Sequence, residues 1–336
     1  MIRSAIKRIL KLYHADARPW FLAFSGGKDS TALVAAAYAA LLQQSKLHKT
    51  ITLLYCDTGV EIPVVASYVK KTLRRLSCQA KSDGLPLKAR ILRPPVSERY
   101  FARVIGHGYP PPTNIFRWCT DRLRVGPVQR AMESASASNP ILLLGTRWDE
   151  SQQRNRTLNR LQLEDKFLFR QTGHKNTTVF APLALFSAQD IWSFLHSNLV
   201  PRCLDIGKLI ELYQSANGGQ CSGLCPSCPI CTSGRFGCWT CTVVRKDKAL
   251  TNMVRDGHAS LKPLLDFRNW LAIYRDRPDC RRKYRRNGNL GPGPLTVAAR
   301  KTILARLMQT QRVTGWSLLP DAEEMYIRQC WAGDRD

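Results

Sequence analysis

The sequence has no long hydrophobic run. Nowhere do unbroken apolar residues approach the ~18 needed to cross a bilayer, so a transmembrane helix is excluded and no membrane partner is expected. The N-terminal stretch MIRSAIKRILKLYHADA carries charges throughout instead of the apolar core of a secretory signal. It reads as an amphipathic helix, and the expected location is the cytoplasm. The GxxxxGK(S/T) loop of kinases and GTPases is absent, which excludes that class of nucleotide site. Acidic residues are scarce, 25 Asp+Glu against 51 Lys+Arg, for a net charge of +26. Solubility does not require so much charge of one sign, and self-repulsion makes it costly. A polyanionic partner explains it, and nucleic acid is the natural one.

The chain is not short of core-forming material. Apolar residues make up 44% of 336 positions, enough for one large domain or two modest ones. Buried strands are expected at 19–26, 50–59, 89–94 and 139–147, with helical spacing over 28–44 and 62–77 between them. Unbroken apolar strands alternating with helices give an α/β fold with a parallel sheet covered on both faces. The composition changes after residue 180. A Ser-capped helix is expected over 187–199, and helices near 246–257, 260–276 and 296–314, which makes this part mostly helical. The expected organisation is a nucleotide domain over 1–185 and a helical region over 186–336.

In parallel sheets ligands sit at the carboxyl ends of the strands. Three of those ends carry polar, glycine-containing loops: SGGKDS, CDTG and GTR. In the first, Gly26 and Gly27 allow a tight turn, and the start of the next helix presents free N–H groups to an anion. Ser25, Lys28, Ser30 and Thr31 add side-chain donors, and Asp29 a carboxylate. A plain strand-to-helix turn needs none of these donors.

SGGKDS resembles the signature of the PP-loop ATP pyrophosphatases. That resemblance implies ATP bound on this loop and cleaved between its α and β phosphates, leaving AMP on an acceptor oxygen. Asp57, Thr58 and Gly59 resemble the second strand loop of the PAPS-reductase branch, and Gly145, Thr146 and Arg147 stand at the matching later loop. The resemblance places Asp29 and Asp57 near Mg²⁺ or the ribose, with Lys28, Asp29 and Arg147 as catalytic candidates.

Twelve cysteines are present, and six of them fall between Cys221 and Cys241. Clustered CxxC pairs without a signal peptide point to a metal site in a reducing compartment rather than to disulfides. Spacing alone leaves zinc and an iron–sulfur cluster equally open. Cys119 lies in NIFRWCTDRLR, among Arg117, Arg122 and Arg124 and just before a helix. Cationic neighbours and a helix start favour the thiolate, which makes Cys119 a candidate sulfur carrier and Cys56 a weaker one. The alternative is an ordinary half-buried thiol beside Trp118. Cys78, Cys203, Cys280 and Cys330 read as structural.

GGQC at 218–221, SGRFGCWTCTVVRKDK at 233–248 and the FRWCT block together resemble the DndC-type sulfurtransferases of DNA phosphorothioation, with the chain's length closer to a compact, SspD-like relative. The resemblance extends over most of the chain. It implies a 4Fe-4S cluster on Cys221, Cys231, Cys238 and Cys241, with Cys225 and Cys228 forming an additional CPSCPIC run that competes for the first position. It also implies DNA as substrate, a cysteine desulfurase as sulfur donor, and other phosphorothioation subunits as partners. The basic runs 70–76 and 275–286 suit DNA phosphates. Three other functions fit parts of the pattern. A sulfonucleotide (PAPS/APS) reductase shares the loops, but no ECG-type cysteine motif or adjacent Cys-Cys pair is present. A tRNA thiolation enzyme fits the basic surface. A zinc-bearing nucleic-acid-binding module would leave the phosphate loop idle.

Overall fold

The computed structural model describes residues 1–15, 17–135, 139–171, 174–218 and 236–334. Cys221, Cys225, Cys228 and Cys231 lie outside these residues. The architecture is a six-stranded sheet with helices on both faces. The strands are β1 (Trp20–Ala23), β2 (Ile51–Cys56), β3 (Leu87–Leu92), β4 (Ile141–Leu143), β5 (Leu168–Gln171) and β6 (His174–Phe180). Their order is β3-β2-β1-β4-β6-β5. Every neighbouring pair is parallel except β5 with β6.

The chain runs outward from β1 to β2 and β3, then returns to place β4 on the other side of β1. In register, Trp20 faces Ile51 on one flank and Ile141 on the other. This reversal opens a crevice at the carboxyl ends of β1 and β4, the usual ligand position in such sheets. The SGGKDS and GTR loops leave from those two ends, and CDTG leaves from the adjacent β2.

Helix α1 (Ile2–Ala15) is amphipathic, as its spacing predicts, and buries Ala5, Ile6, Ile9 and Tyr13. Helix α2 (Lys28–Leu42) is buried from Ser30 to Leu41. A helix apolar all round belongs in the interior, and here α1 and the later α6 pack on it. Helix α3 (Pro63–Ser82) starts with proline, whose missing N–H costs nothing in the first turn. Helix α4 (Gly126–Glu133) comes after a short helical turn at Trp118–Thr120 and a wide π turn at Asp121–Val125. Pro127 lacks the N–H that regular winding would use, and a local widening is the expected response.

Further on come α5 (Gln152–Leu161), α6 (Ala188–Leu195), α7 (Ile206–Ala216), α8 (Lys248–Arg255), α9 (Lys262–Tyr274), α10 (Val297–Thr314) and α11 (Asp321–Ala332). The Ser cap expected for α6 is present as a full capping box between Ser187 and Asp190. The β5–β6 hairpin and α7 are not expected from the sequence pattern. The hairpin is an antiparallel edge: β5 has four residues and β6 opens on the polar run HKNTT, so neither gives a buried-strand signal. No described helix is long and apolar enough to cross a membrane.

Candidate functional site

The phosphate loop folds around its own hydroxyls. Ser25 N–H donates to Ser30 Oγ at 3.2 Å, the two Oγ atoms lie 3.1 Å apart, and Ser30 Oγ donates to the Gly27 carbonyl at 3.0 Å. Gly26 has φ +76°, and a Cβ there would fall 2.1 Å from Val69 Cγ2 on α3. Glycine is therefore required on both conformational and steric grounds. Gly145 serves differently. A Cβ on it would sit 2.7 Å from the Asp29 carbonyl oxygen, so its bare backbone lets the β4 loop rest on the first turn of α2.

Asp29 and Arg147 join the two loops. Arg147 Nε donates to Asp29 Oδ1 at 2.7 Å, and its Nη1 donates to the Phe186 carbonyl at 3.0 Å. Lys28 Nζ lies 3.3 Å from the other carboxylate oxygen, Oδ2. Lys28 and Arg147 are 3% and 2% exposed, so two buried cations are held against one carboxylate that is still partly open to solvent. The hydroxyls of Thr31 and Thr146 are buried and have no hydrogen-bond partner among the described residues. Buried hydroxyls normally find a partner, so two unsatisfied ones beside a glycine cradle fit an oxygen-rich ligand such as a polyphosphate.

Asp57, just after β2, is buried and paired with Lys70 at 3.0 Å and Arg93 at 3.2 Å. Thr58 donates to Glu61 Oε1 from both its N–H, at 3.1 Å, and its Oγ1, at 2.6 Å, and Gly59 turns with φ +78°. Asp29 and Asp57 are carboxylates at this sheet edge, and each already balances a cation.

Tyr213 of α7 is a site residue that no sequence motif singles out. Its hydroxyl accepts from the Lys28 backbone N–H at 3.1 Å, an amide that a phosphate would use, and lies 3.3 Å from where a Gly27 Cβ would stand. Its ring packs against Trp192 and Phe236. A signal for its helix is present in the sequence, since Leu209, Leu212, Tyr213 and Ala216 keep helical spacing.

The GCWTC turn docks onto the CDTG loop. Cys238 pairs with Glu61 in an antiparallel bridge, and Trp239 N–H donates to the Val60 carbonyl at 2.9 Å. Cys241 N–H closes the turn on the Cys238 carbonyl at 2.9 Å. Arg268 is buried and fixes the backbone from Cys241 to Arg245, donating from Nε to the Cys241 carbonyl at 2.8 Å and from Nη1 to that of Arg245 at 3.1 Å. Cys119 lies near Cys241, which disfavours its thiolate, and Cys119 in turn disfavours that of Cys238. Among the described residues no three His, Cys, Asp or Glu side chains converge as a complete metal site. Cys238 and Cys241 are free thiols on one tight turn, a donor pair whose chemistry fits thiolate ligation of zinc or an iron–sulfur cluster.

The expected depressed pKa of Cys119 is corrected by the structure. Burial pushes this thiol up, and nearby Cys241 adds to the shift. The arginines around it are committed elsewhere. Arg117 donates to Asn114, Arg122 to Glu98, and Arg124 Nη2 lies 3.8 Å from Cys238 Sγ rather than on Cys119. Burial likewise raises Cys56 and Cys238 to about 11, with Arg124 opposing in both cases. Cys78 is exposed, unlike a packed structural thiol. Part of the 275–286 run is also internal. Arg275 donates to the carbonyls of Pro112 and Thr242, and Arg281 to those of Gly293 and Pro292.

A family model described as the phosphoadenosine phosphosulfate reductase domain matches residues 19–244. An uncharacterized protein of Methanocaldococcus jannaschii is 26% identical over 199 residues, which is 59% of this chain and 36% of that protein. The match therefore spans little more than a third of that relative's length. Among solved structures, the phosphoadenylyl-sulfate reductase of Candida auris in complex with phosphate is 15% identical, with a TM-score of 0.38 over 60% of this chain and 84% of that one. The U34-tRNA thiolase NcsA of Methanococcus maripaludis with its 4Fe-4S cluster is 12% identical, with a TM-score of 0.39 over 81% and 80%. The FMN adenylyltransferase of Candida glabrata, in complex with FAD and pyrophosphate, is 13% identical, with a TM-score of 0.41 over 64% and 62%.

Proposed function

The chain belongs to the phosphoadenosine phosphosulfate reductase domain family, and from that premise we propose that it is an ATP-dependent sulfurtransferase of the DndC type acting on the DNA backbone. The observation that carries this reading is the docking of the thiol-bearing GCWTC turn onto the CDTG loop of the nucleotide crevice through Glu61–Cys238 and Val60–Trp239. A module that only hydrolyses ATP has no use for thiols at that edge. DNA as the acceptor rests on the resemblance of the FRWCT and GCWTC blocks and on the +26 charge.

A non-bridging oxygen of a DNA phosphate attacks the α-phosphorus of ATP. The new O–P bond forms, the α–β bridge breaks, and pyrophosphate leaves with the electron pair. Lys28, the amides at the start of α2, and the Thr31 and Thr146 hydroxyls hold the phosphates and oppose the charge that builds up. Arg147 holds Asp29 in place. Mg²⁺ on Asp29 and Asp57 would offset triphosphate charge.

Cys119, loaded as a persulfide by a cysteine desulfurase, supplies the sulfur. Its outer sulfur attacks the adenylated phosphorus, a P–S bond forms, and AMP leaves. A second thiol then attacks the Cys119 sulfur of the P–S–S–C linkage. The DNA phosphorothioate is released and a disulfide remains, which an external dithiol reduces. Cys221, Cys231, Cys238 and Cys241 would hold the 4Fe-4S cluster, which would supply four iron sites for their thiolates.

The test incubates anaerobically reconstituted protein with ATP, Mg²⁺, cysteine, a desulfurase, a dithiol and either duplex DNA or tRNA. The products are digested with nuclease and read by mass spectrometry. Phosphorothioate dinucleotides from DNA are expected, and they should vanish in Cys119→Ala while ATP cleavage persists. Sulfur found only on tRNA bases would replace this reading with base thiolation.

A further inference from the structure

We propose that the loop 109–117 and the neighbouring hairpin 282–290 form a duplex-DNA docking surface in which Ile115 and Phe116 press into a base step while Arg117, Lys283, Arg285 and Arg286 hold the flanking phosphates. The proposal rests on the functional reading above for its choice of DNA.

Ile115 is the most exposed large apolar residue described, at 99%, and Phe116 beside it is 44% exposed. Phe116 is not loose. Its ring stacks on Tyr109 at 6.3 Å with an interplanar angle of 18°. The Arg286 guanidinium lies 4.4 Å from the Tyr109 ring centre, and Arg103 lies 5.2 Å from it. Arg286 also donates to the His107 carbonyl at 2.6 Å, which fastens the hairpin to the loop. The base of the loop is pinned at the Pro112 carbonyl, which accepts from Thr242 Oγ1 at 2.8 Å and Arg275 Nη1 at 2.7 Å. Trp118 Nε1 closes it on the Pro110 carbonyl at 3.0 Å. An apolar tip on a braced stalk is thus held outward, at the cost of exposing apolar surface to water.

The rim of this tip is cationic. Arg117, Lys283, Arg285 and Arg286 make no ion pair among the described residues, so no carboxylate there competes with a phosphate for them. Tyr284 and Leu290, both exposed, extend the apolar surface along the hairpin, where they pair with each other. Apolar wedges flanked by unpaired cations match what a base stack and its phosphates require. A protein partner would favour carboxylates opposite the cations, but nothing in the cations' arrangement calls for an apolar wedge between them. The placement also serves the chemistry, because the same loop runs directly into Cys119, and the Pro112 anchor ties it to the residue after Cys241.

The test is fluorescence titration of the full-length protein with a 30-base-pair duplex carrying 2-aminopurine, across a salt series and without ATP. Lys283→Ala with Arg285→Ala should lower the salt slope by about 1.8, at about 0.9 for each phosphate no longer neutralised. Ile115→Ala with Phe116→Ala should leave the slope unchanged, weaken binding about tenfold, and abolish the 2-aminopurine brightening that unstacking produces. Thermal melts of both variants matching the parent establish that the fold is intact. Unchanged affinity in both variants, or tighter binding to a single-stranded RNA of equal length than to the duplex, overturns the proposal. Phosphorothioate formed on DNA by variants that bind normally would sink this surface while leaving the sulfurtransferase reading in place. Loss of both sulfur transfer and binding to any DNA in the parent protein would remove that reading as well.

Discussion

Arg147 Nε sits 2.7 Å from Asp29 Oδ1, joining residues 118 positions apart across the mouth of the β1–β4 crevice. The guanidinium is nearly fully buried and spends its other arm on the Phe186 carbonyl, so it is oriented at two points. Replacing it with alanine leaves Asp29 beside Lys28 alone and the Phe186 carbonyl without its donor. Arg147→Ala should cost about 1–3 kcal/mol in urea denaturation, chiefly for the buried Phe186 carbonyl left without its donor, since Asp29 keeps Lys28. Arg147→Lys should recover less than half of that, because an ammonium cannot span both partners. Equal stability of Arg147→Lys and the parent would contradict the two-point role.

Glycine at 145 is required by approach rather than by its torsion angles. Gly145→Ala should push the β4 loop off α2, because the intruding methyl meets backbone that cannot yield. Loss of measurable ATP-analogue binding by calorimetry is expected. Gly26→Ala should also fail, and adding Val69→Ala should rescue only the steric part, because φ +76° still disfavours a side chain. Full rescue by the double substitution would show that the torsion angle is unimportant.

The Tyr213 hydroxyl accepts from the Lys28 N–H, one of the loop amides that the proposed mechanism assigns to phosphate. Tyr213→Phe frees the Lys28 N–H, and a non-hydrolysable ATP analogue should bind about three- to tenfold tighter, the worth of one competing hydrogen bond. Weaker binding would show instead that the hydroxyl is itself a ligand of the nucleotide.

Helix α11 inserts Glu323 at the start of the helical turn Ala102–Gly106, where Oε1 accepts from Ala102 N–H at 3.0 Å. Burial raises this carboxyl to about 7, against the opposing pull of that amide and Arg99. The folded pKa exceeds the unfolded one, so the stability associated with Glu323 is full below about pH 4.5 and is lost as pH rises through about 7. Glu323→Gln removes the ionisation and keeps an accepting oxygen. It should be more stable than the parent by about 2–3 kcal/mol at pH 8, with the difference vanishing near pH 4.5. A difference independent of pH would contradict the assignment.

Much of this site was legible in the sequence because its parts are local. A glycine pair before Lys28-Asp29 and a DTG after an apolar run each announce a strand end, and alternating apolar strands fix those ends on one edge. What the sequence hid is non-local or negated by packing. Tyr213 reaches Lys28 from 185 residues away, and no spacing rule connects them. The arginines around Cys119 look like thiolate stabilisers in the sequence, but Glu98 draws off Arg122, and Arg124 turns to Cys238. Arg275 and Arg281 belong to a charge run that looks solvent-facing, yet they satisfy buried carbonyls. The β5–β6 edge lacks the apolar continuity that marks the central strands.

The central claim is that the SGGKDS crevice transfers adenylate so that sulfur can displace it. The most direct measurement is anaerobic product analysis with ATP labelled at the α-phosphate, supplied with Mg²⁺ and duplex DNA. Pyrophosphate and an equal amount of label carried on the DNA as adenylate are predicted, both absent with Lys28→Ala, and the label should leave as AMP when a persulfide donor is added. Labelled ADP with inorganic phosphate, or no cleavage under any acceptor, would contradict it.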